Sequence, residues 1–185
     1  SRSGGGPLID LGVHVIDLVR CLMGNPQPVS VYGAAFHKLG NRQDLKAGRS
    51  YVSAESTGCD VCDVEDSVTA LIRFDNGAVL SLETAFCLNI KQDRTSVELY
   101  GTKGGVQLEP AFELHTDLNG HLIDTTISGE AAPSFEELFQ RETDHFAACI
   151  TDSVPCRAPA QDGVTLMKIL DAVYASAESG HEVRL

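Results

Sequence analysis

Phe74-Asp75-Asn76-Gly77-Ala78-Val79 reads as a β-hairpin, because Asn-Gly accepts the positive φ of a tight turn and strand-like runs lie on either side. The strands it joins are expected at about 64–74 and 78–87. Upstream, Pro28-Val29-Ser30-Val31-Tyr32-Gly33-Ala34-Ala35-Phe36 reads as an earlier strand. Later strands fall near 94–100, 104–109, 111–117 and 121–127, with Asn119-Gly120 as a second hairpin turn. Residues 39–60 are polar, carry Gly40, Gly48 and Gly58, and are expected to form a long mobile loop. A helix is expected from Ser134, whose side chain completes a capping box with Glu137 and precedes Phe135, Leu138, Phe139, Phe146 and Ile150. A last helix begins near Asp162, carries Leu166, Leu170, Val173, Tyr174 and Ala177, and ends at Gly180. Consecutive antiparallel strands with helices on one side give the α+β class.

Composition bounds the function. A chain of 185 residues buries a core without needing to split, so a single domain over 1–185 is expected. A net charge of −12 argues against a nucleic-acid partner, which requires a basic surface. No apolar run reaches the roughly 18–20 residues of a membrane span, and no signal-peptide pattern opens the chain. Six cysteines are present. Cys21, Cys87 and Cys149 lie in apolar patterns and are expected to be small buried hydrophobes. Cys59-Asp60-Val61-Cys62 is a single C-x-x-C, without the second pair that structural zinc needs, so no metal site is expected and a reduced, cytoplasmic protein is the default.

Chemistry concentrates in Gly4-Gly5-Gly6-Pro7-Leu8-Ile9-Asp10-Leu11-Gly12-Val13-His14-Val15-Ile16-Asp17. Glycines allow a tight turn, and Pro7 suits the first turn of a helix. Leu11, Val15, Leu18 and Leu22 form one apolar stripe, and Asp10, His14 and Asp17 form a second, ionisable one. A carboxylate one turn from an imidazole favours the imidazolium and can orient the ring, the support that a general acid/base histidine needs.

That stretch resembles the start of the C-terminal domain of the Gfo/Idh/MocA oxidoreductases, the glucose–fructose oxidoreductase and inositol 2-dehydrogenase group. Val64-Glu65-Asp66-Ser67 through Phe74–Val79 fits the same family, as does Val97-Glu98-Leu99-Tyr100-Gly101-Thr102-Lys103-Gly104-Gly105. A further match runs from Glu142-Thr143-Asp144-His145-Phe146 through Arg157-Ala158-Pro159 and Asp162-Gly163 to Leu170-Asp171-Ala172-Val173-Tyr174. The resemblance implies a large, mainly antiparallel open sheet with helices packed on one face, the other face serving self-association as a homodimer or tetramer. It implies NAD or NADP as cofactor and a secondary alcohol of a sugar or polyol as substrate. His14 and Asp10 match the family's D-x-x-x-H, with His14 as proton acceptor and Asp10 as its orienting neighbour.

The family's G-x-G-x-x-G turn and its E-K-P lysine do not occur in this chain, which therefore resembles a C-terminal half-domain whose cofactor is bound by an N-terminal Rossmann domain. No cofactor-binding residue is expected here, and the fragment alone is expected to be inactive. Arg94 is a candidate substrate contact, with Lys91 beside it. His37, His115, His121 and His181 lack ligand spacing, His145 reads as an exposed ion-pair partner of Glu142, and Tyr100 and Tyr174 read as packed. The alternative function is a non-catalytic binding or dimerisation module of the same fold. An acid/base pair behind a glycine turn favours the enzyme.

Overall fold

A computed structural model describes residues 4–40, 62–109, 111–126 and 133–185. The loop expected over 39–60 lies outside the described residues from position 41 onward, as does Cys59. In chain order the elements are a π-helical turn Leu8–Gly12, α1 Val13–Leu22, β1 Pro28–Phe36, β2 Ser67–Phe74, β3 Val79–Ala85, β4 Val97–Gly101, β5 Gly104–Glu109, β6 Glu113–Leu118, β7 His121–Thr126, α2 Phe135–Thr151, α3 Ala160–Ser179 and β8 Val183–Arg184. They fall into two compact units: Ser1–Asn89 with Ala158–Leu185, and Ile90–Arg157.

The class is α+β with antiparallel pairing throughout. The strands are divided between two four-stranded sheets, β3-β2-β1-β8 and β4-β5-β6-β7, where one sheet over 64–127 was expected. The division falls at residues 86–96, where no strand forms.

In the first unit, β2 alternates as its sequence dictates: Val68, Ala70, Ile72 and Phe74 are buried and the residues between them are not. Its neighbours are in register, with Val31, Ile72 and Leu80 level across three strands and Gly33, Ala70 and Leu82 level one pair further on. Against this face pack Leu8 and Ile16 from the N-terminal helices and Ile169, Leu170 and Val173 from α3. Each such side chain, fully buried, is worth about 1.5–3 kcal/mol. Gly33 lets α3 approach closely, because a Cβ there would lie 2.9 Å from Val173 Cγ1 and 3.0 Å from its carbonyl oxygen. The Gly33 amide donates to the buried Ser176 hydroxyl at 2.9 Å, which fixes α3 on β1. Gly180, at φ 70°, ends α3 in the left-handed region as expected.

The turn at Asp75-Asn76-Gly77 works differently from the simple Asn-Gly expectation. Only Gly77 takes a positive φ, 85°. Asn76 contributes its side chain, accepting from the Ala78 amide at 3.0 Å, and Asp75 accepts from the Gln27 amide at 3.0 Å.

The second unit is a meander of β4 to β7 followed by α2. Asn119 and Gly120 have φ 55° and 80°, the conformation of a type I′ hairpin turn. Ser134 and Glu137 form the expected capping box, with Ser134 N–H donating to Glu137 at 2.7 Å and Glu137 N–H donating to Ser134 Oγ at 3.3 Å. None of α2's residues is buried, so this helix does not share the core packing expected of it; Phe135, Phe139, Phe146 and Ile150 are 62–80% exposed.

Candidate functional site

The site is built on the N-terminal helix of the first unit. Its buried stripe is Leu8, Gly12, Ile16 and Val19, not Leu11, Val15, Leu18 and Leu22, of which Leu11, Leu18 and Leu22 are 44–51% exposed. The reason is Gly12. It interrupts the apolar pattern as a sequence, yet it allows the closest contact: a Cβ there would meet Leu8 Cδ1 at 3.1 Å and Thr84 Cγ2 at 3.4 Å. Asp10, His14 and Asp17 lie on the opposite, exposed side, with Leu11 and Leu18 as neighbours.

The first turn is π-helical rather than α-helical: the Val13 amide donates to the Leu8 carbonyl, five residues back. Such a turn widens the backbone locally and occurs often where a helix carries function. Two hydrogen bonds hold it. The Leu8 amide, an orphan donor at the helix start, donates to Glu65 Oε1 at 3.2 Å. The Thr84 hydroxyl donates to the Pro7 carbonyl at 3.1 Å. Gly6 leaves room for the carboxylate, since a Cβ there would lie 2.3 Å from Glu65 Cδ.

Glu65 is 4% exposed, and a buried carboxylate needs donors. The Tyr174 hydroxyl supplies a second one at 2.8 Å. Partial burial, and then the hydrogen bond to Glu65, push the Tyr174 hydroxyl well above the usual tyrosine range. The negative charge of Glu65 at a helix N-terminus also complements the helix dipole. Asp66 does similar work on the adjacent chain: its carboxylate accepts from the Lys38 amide, from Leu39 at 2.5 Å and from Gly40 at 2.6 Å.

Asp10 and His14 are thus one turn apart on an exposed face. Among the described residues neither makes a hydrogen bond or ion pair with the other, so the expected ring support is not a direct contact here. Both groups face solvent, where hydration competes with pairing. Arg94 is exposed in the connection between β3 and β4, in the second unit. The residues missed from sequence are Glu65, Thr84 and Tyr174. Glu65 stood in the Val64–Ser67 motif, but no spacing rule connects it to a helix 57 positions away.

Arg20 is fully buried; its Nε donates to the Pro26 carbonyl at 3.3 Å and its guanidinium lies 3.8 Å from Asp162, tying α1 to the start of α3. Cys21 is exposed and Cys87 and Cys149 half-buried, so none is the core residue expected: Cys21 falls on the outer side of α1, and Cys149 on a helix without a buried face. His145 makes no ion pair with Glu142 among the described residues; its Nε2 accepts from the Arg157 amide at 3.1 Å. His115 Nδ1 lies 2.7 Å from Asp124 on the neighbouring strand, and that hydrogen bond raises its pKa above the ordinary 6.5.

An α+β domain that spends a glycine-led π-turn on presenting Asp and His to solvent belongs with the Gfo/Idh/MocA oxidoreductases: residues 1–185 match that family's "Oxidoreductase family, C-terminal alpha/beta domain". Among its relatives, D-glucoside 3-dehydrogenase of Escherichia coli (strain K12) is 35% identical over 183 residues, covering 98% of this chain and 49% of that protein. D-xylose 1-dehydrogenase (NADP(+)) 2 of Haloferax volcanii is 23% identical over 186 residues, covering 98% and 48%. The fold is shared with levoglucosan dehydrogenase solved in complex with NADH and levoglucosan, at a TM-score of 0.76 and 22% identity, over 98% of this chain and 51% of that one. The chain spans about half the length of the curated relatives it matches. No helix among the described residues is long and apolar enough to cross a membrane.

Proposed function

We propose that this chain is the substrate-binding and catalytic half-domain of an NAD(P)-dependent oxidoreductase acting on a secondary alcohol of a sugar or polyol. One observation carries the reading: an exposed histidine and aspartate one turn apart on a helix whose first turn is anchored to a buried carboxylate. That arrangement holds the backbone rigid while leaving the imidazole free to meet a ligand. The relatives' sugar-dehydrogenase names, D-glucoside 3-dehydrogenase and D-xylose 1-dehydrogenase, support the substrate class.

No G-x-G-x-x-G turn occurs in the sequence, so the cofactor is held mainly by an N-terminal Rossmann domain that completes the enzyme. Leu11 and Leu18, 44 and 45% exposed beside the Asp10–His14 face, give this domain an apolar border that such a partner would cover. An exposed imidazole fits the proton half of alcohol oxidation. The nicotinamide, when bound, supplies the hydride acceptor. His14 accepts the hydroxyl proton across about 2.6–3.2 Å, and Asp10 steadies the imidazolium that results. Asp17 completes the polar stripe; Arg94, exposed in the second unit, is a separate candidate for substrate binding.

The outer face of the first sheet, with Tyr32, Phe36, Leu71 and Val79 each about half exposed, is assigned to self-association as a homodimer or tetramer. The test of the activity is a panel of aldoses, glycosides and polyols offered to the full-length protein with NAD and with NADP. Oxidation of at least one with nicotinamide reduction is expected. Turnover of none by folded, cofactor-loaded protein would overturn the reading.

A further inference from the structure

We propose that His145, Cys149 and Cys156 form a binding site for a borderline-soft divalent metal ion, zinc being the natural occupant, with a fourth coordination position left to water. One ligand atom from each of the three lies within 4.8 Å of the other two. His145 Nε2 and Cys149 Sγ are 3.6 Å apart. Zinc bonds of about 2.0–2.1 Å to nitrogen and 2.3 Å to sulfur, at a tetrahedral angle, put those atoms about 3.6 Å apart. One edge of the coordination polyhedron already has the right length.

The sequence builds this cluster simply. His145 and Cys149 are four residues apart on α2 and so share one face, one turn apart. The helix ends at Thr151, and Ser153 at φ 54° reverses the chain, with the Val154 amide donating back to the Ala148 carbonyl at 3.4 Å. The reversal returns Cys156 to the other two. His145 and Cys149 are half-buried and Cys156 is exposed, which leaves an entry path and a position for water.

Nitrogen and thiolate donors select zinc-like ions over magnesium and calcium, which demand oxygen. On loading, the His145 Nε2 lone pair that now accepts from the Arg157 amide turns to the metal. Each thiol releases its proton to solvent and binds as thiolate. Two thiolates, a neutral imidazole and a divalent ion sum to zero charge, so a half-buried site carries no net charge. The bound ion would clamp the reversal after α2, in a segment whose helix buries none of its own residues. The reading is independent of the proposed dehydrogenase chemistry, because its assay contains no substrate or nicotinamide.

The test uses the full-length protein, stripped of metal with a chelator, kept reduced with a phosphine and titrated with Co²⁺ without oxygen. A near-ultraviolet sulfur-to-cobalt charge-transfer band should saturate at one equivalent per chain and bleach on adding Zn²⁺. Cys149→Ser, Cys156→Ser and His145→Ala should each abolish that saturation, whereas Cys62→Ser should leave it intact. If Cys149→Ser unfolds by circular dichroism, Cys156→Ser decides alone, since its side chain is exposed. Absence of the band in the reduced wild-type protein would overturn the proposal. So would a band that survives Cys156→Ser or disappears in Cys62→Ser.

Discussion

Replacing Tyr174 with phenylalanine deletes one hydroxyl from the anchor beneath the His14 helix, and the geometry sets the size of the effect. The hydroxyl donates over 2.8 Å to Glu65, a carboxylate only 4% exposed. A hydrogen bond to a charged group contributes about 1.5–3 kcal/mol, and Tyr174 is only half-buried, so the lower end applies. A loss near 1.5 kcal/mol lowers the melting temperature by about 3–6 °C for a chain of this size. Glu65→Gln weakens the same contact from the other side. The double variant should therefore lose about 0.5–1.5 kcal/mol less than the sum of the singles. The chain has no tryptophan, so urea denaturation is followed by circular dichroism. The pH dependence has a definite sign. Because the native hydroxyl is held above the ordinary tyrosine value of 10.0, its contribution is complete below pH 10 and is lost as pH rises further. Tyr174→Phe should flatten that alkaline loss. An unchanged unfolding midpoint, or strict additivity with Glu65→Gln, would refute the anchor.

Gly6→Ala places a Cβ 2.3 Å from Glu65 Cδ and should cost about 1–3 kcal/mol by overpacking, read as a shifted urea midpoint; a neutral result would mean the carboxylate is not seated there. His115 should titrate above 6.5 by NMR, and Asp124→Asn should return it toward 6.5, because the Asp124 hydrogen bond is the largest cause of the shift. The sign follows: this pair stabilises the second unit below about pH 6.5 and its contribution fades as pH rises through the native value, so a titration at or below 6.5 would refute the pairing. Tyr32→Lys with Leu71→Lys should convert an oligomer to monomer in light scattering, since the two residues lie level on adjacent strands of the outer face; an unchanged mass would place association elsewhere.

Much of the fold was legible because its signals were local. Asn119-Gly120, the Ser134–Glu137 capping box and Gly180 each act over a few residues, and each forms as expected. Strand positions followed from alternation and turns. The division into two sheets was not legible, because pairing partners are set by long-range register, and the polar stretch between the strands expected at 78–87 and 94–100 reads equally as a connection within one sheet. The N-terminal helix shows the limit from the other side. Two apolar stripes compete along it, and the one containing Gly12 is buried because a missing side chain allows contact that Leu11 and Leu18 would block. The Asp10–His14 pair was visible as a spacing, but its support was not. Glu65, just before β2, and Thr84 of β3 bond to that turn, Tyr174 of α3 bonds to Glu65, and only tertiary structure brings them together.

His14 is proposed to take the alcohol proton, and single-turnover kinetics of the His14→Ala variant test that role. The full-length protein is mixed with its best sugar or polyol substrate and excess enzyme, and nicotinamide reduction is followed in one turnover, which separates chemistry from product release. Circular dichroism identical to wild type establishes that the exposed side chain has been removed without loss of fold. The account predicts a chemical step slowed by about 10²–10⁴-fold. A smaller loss is expected for Asp10→Asn, since Asp10 is proposed to act only on the charged ring and makes no hydrogen bond or ion pair with it in the structure. A His14→Ala variant that transfers hydride at the wild-type rate would rule out His14 as the proton acceptor.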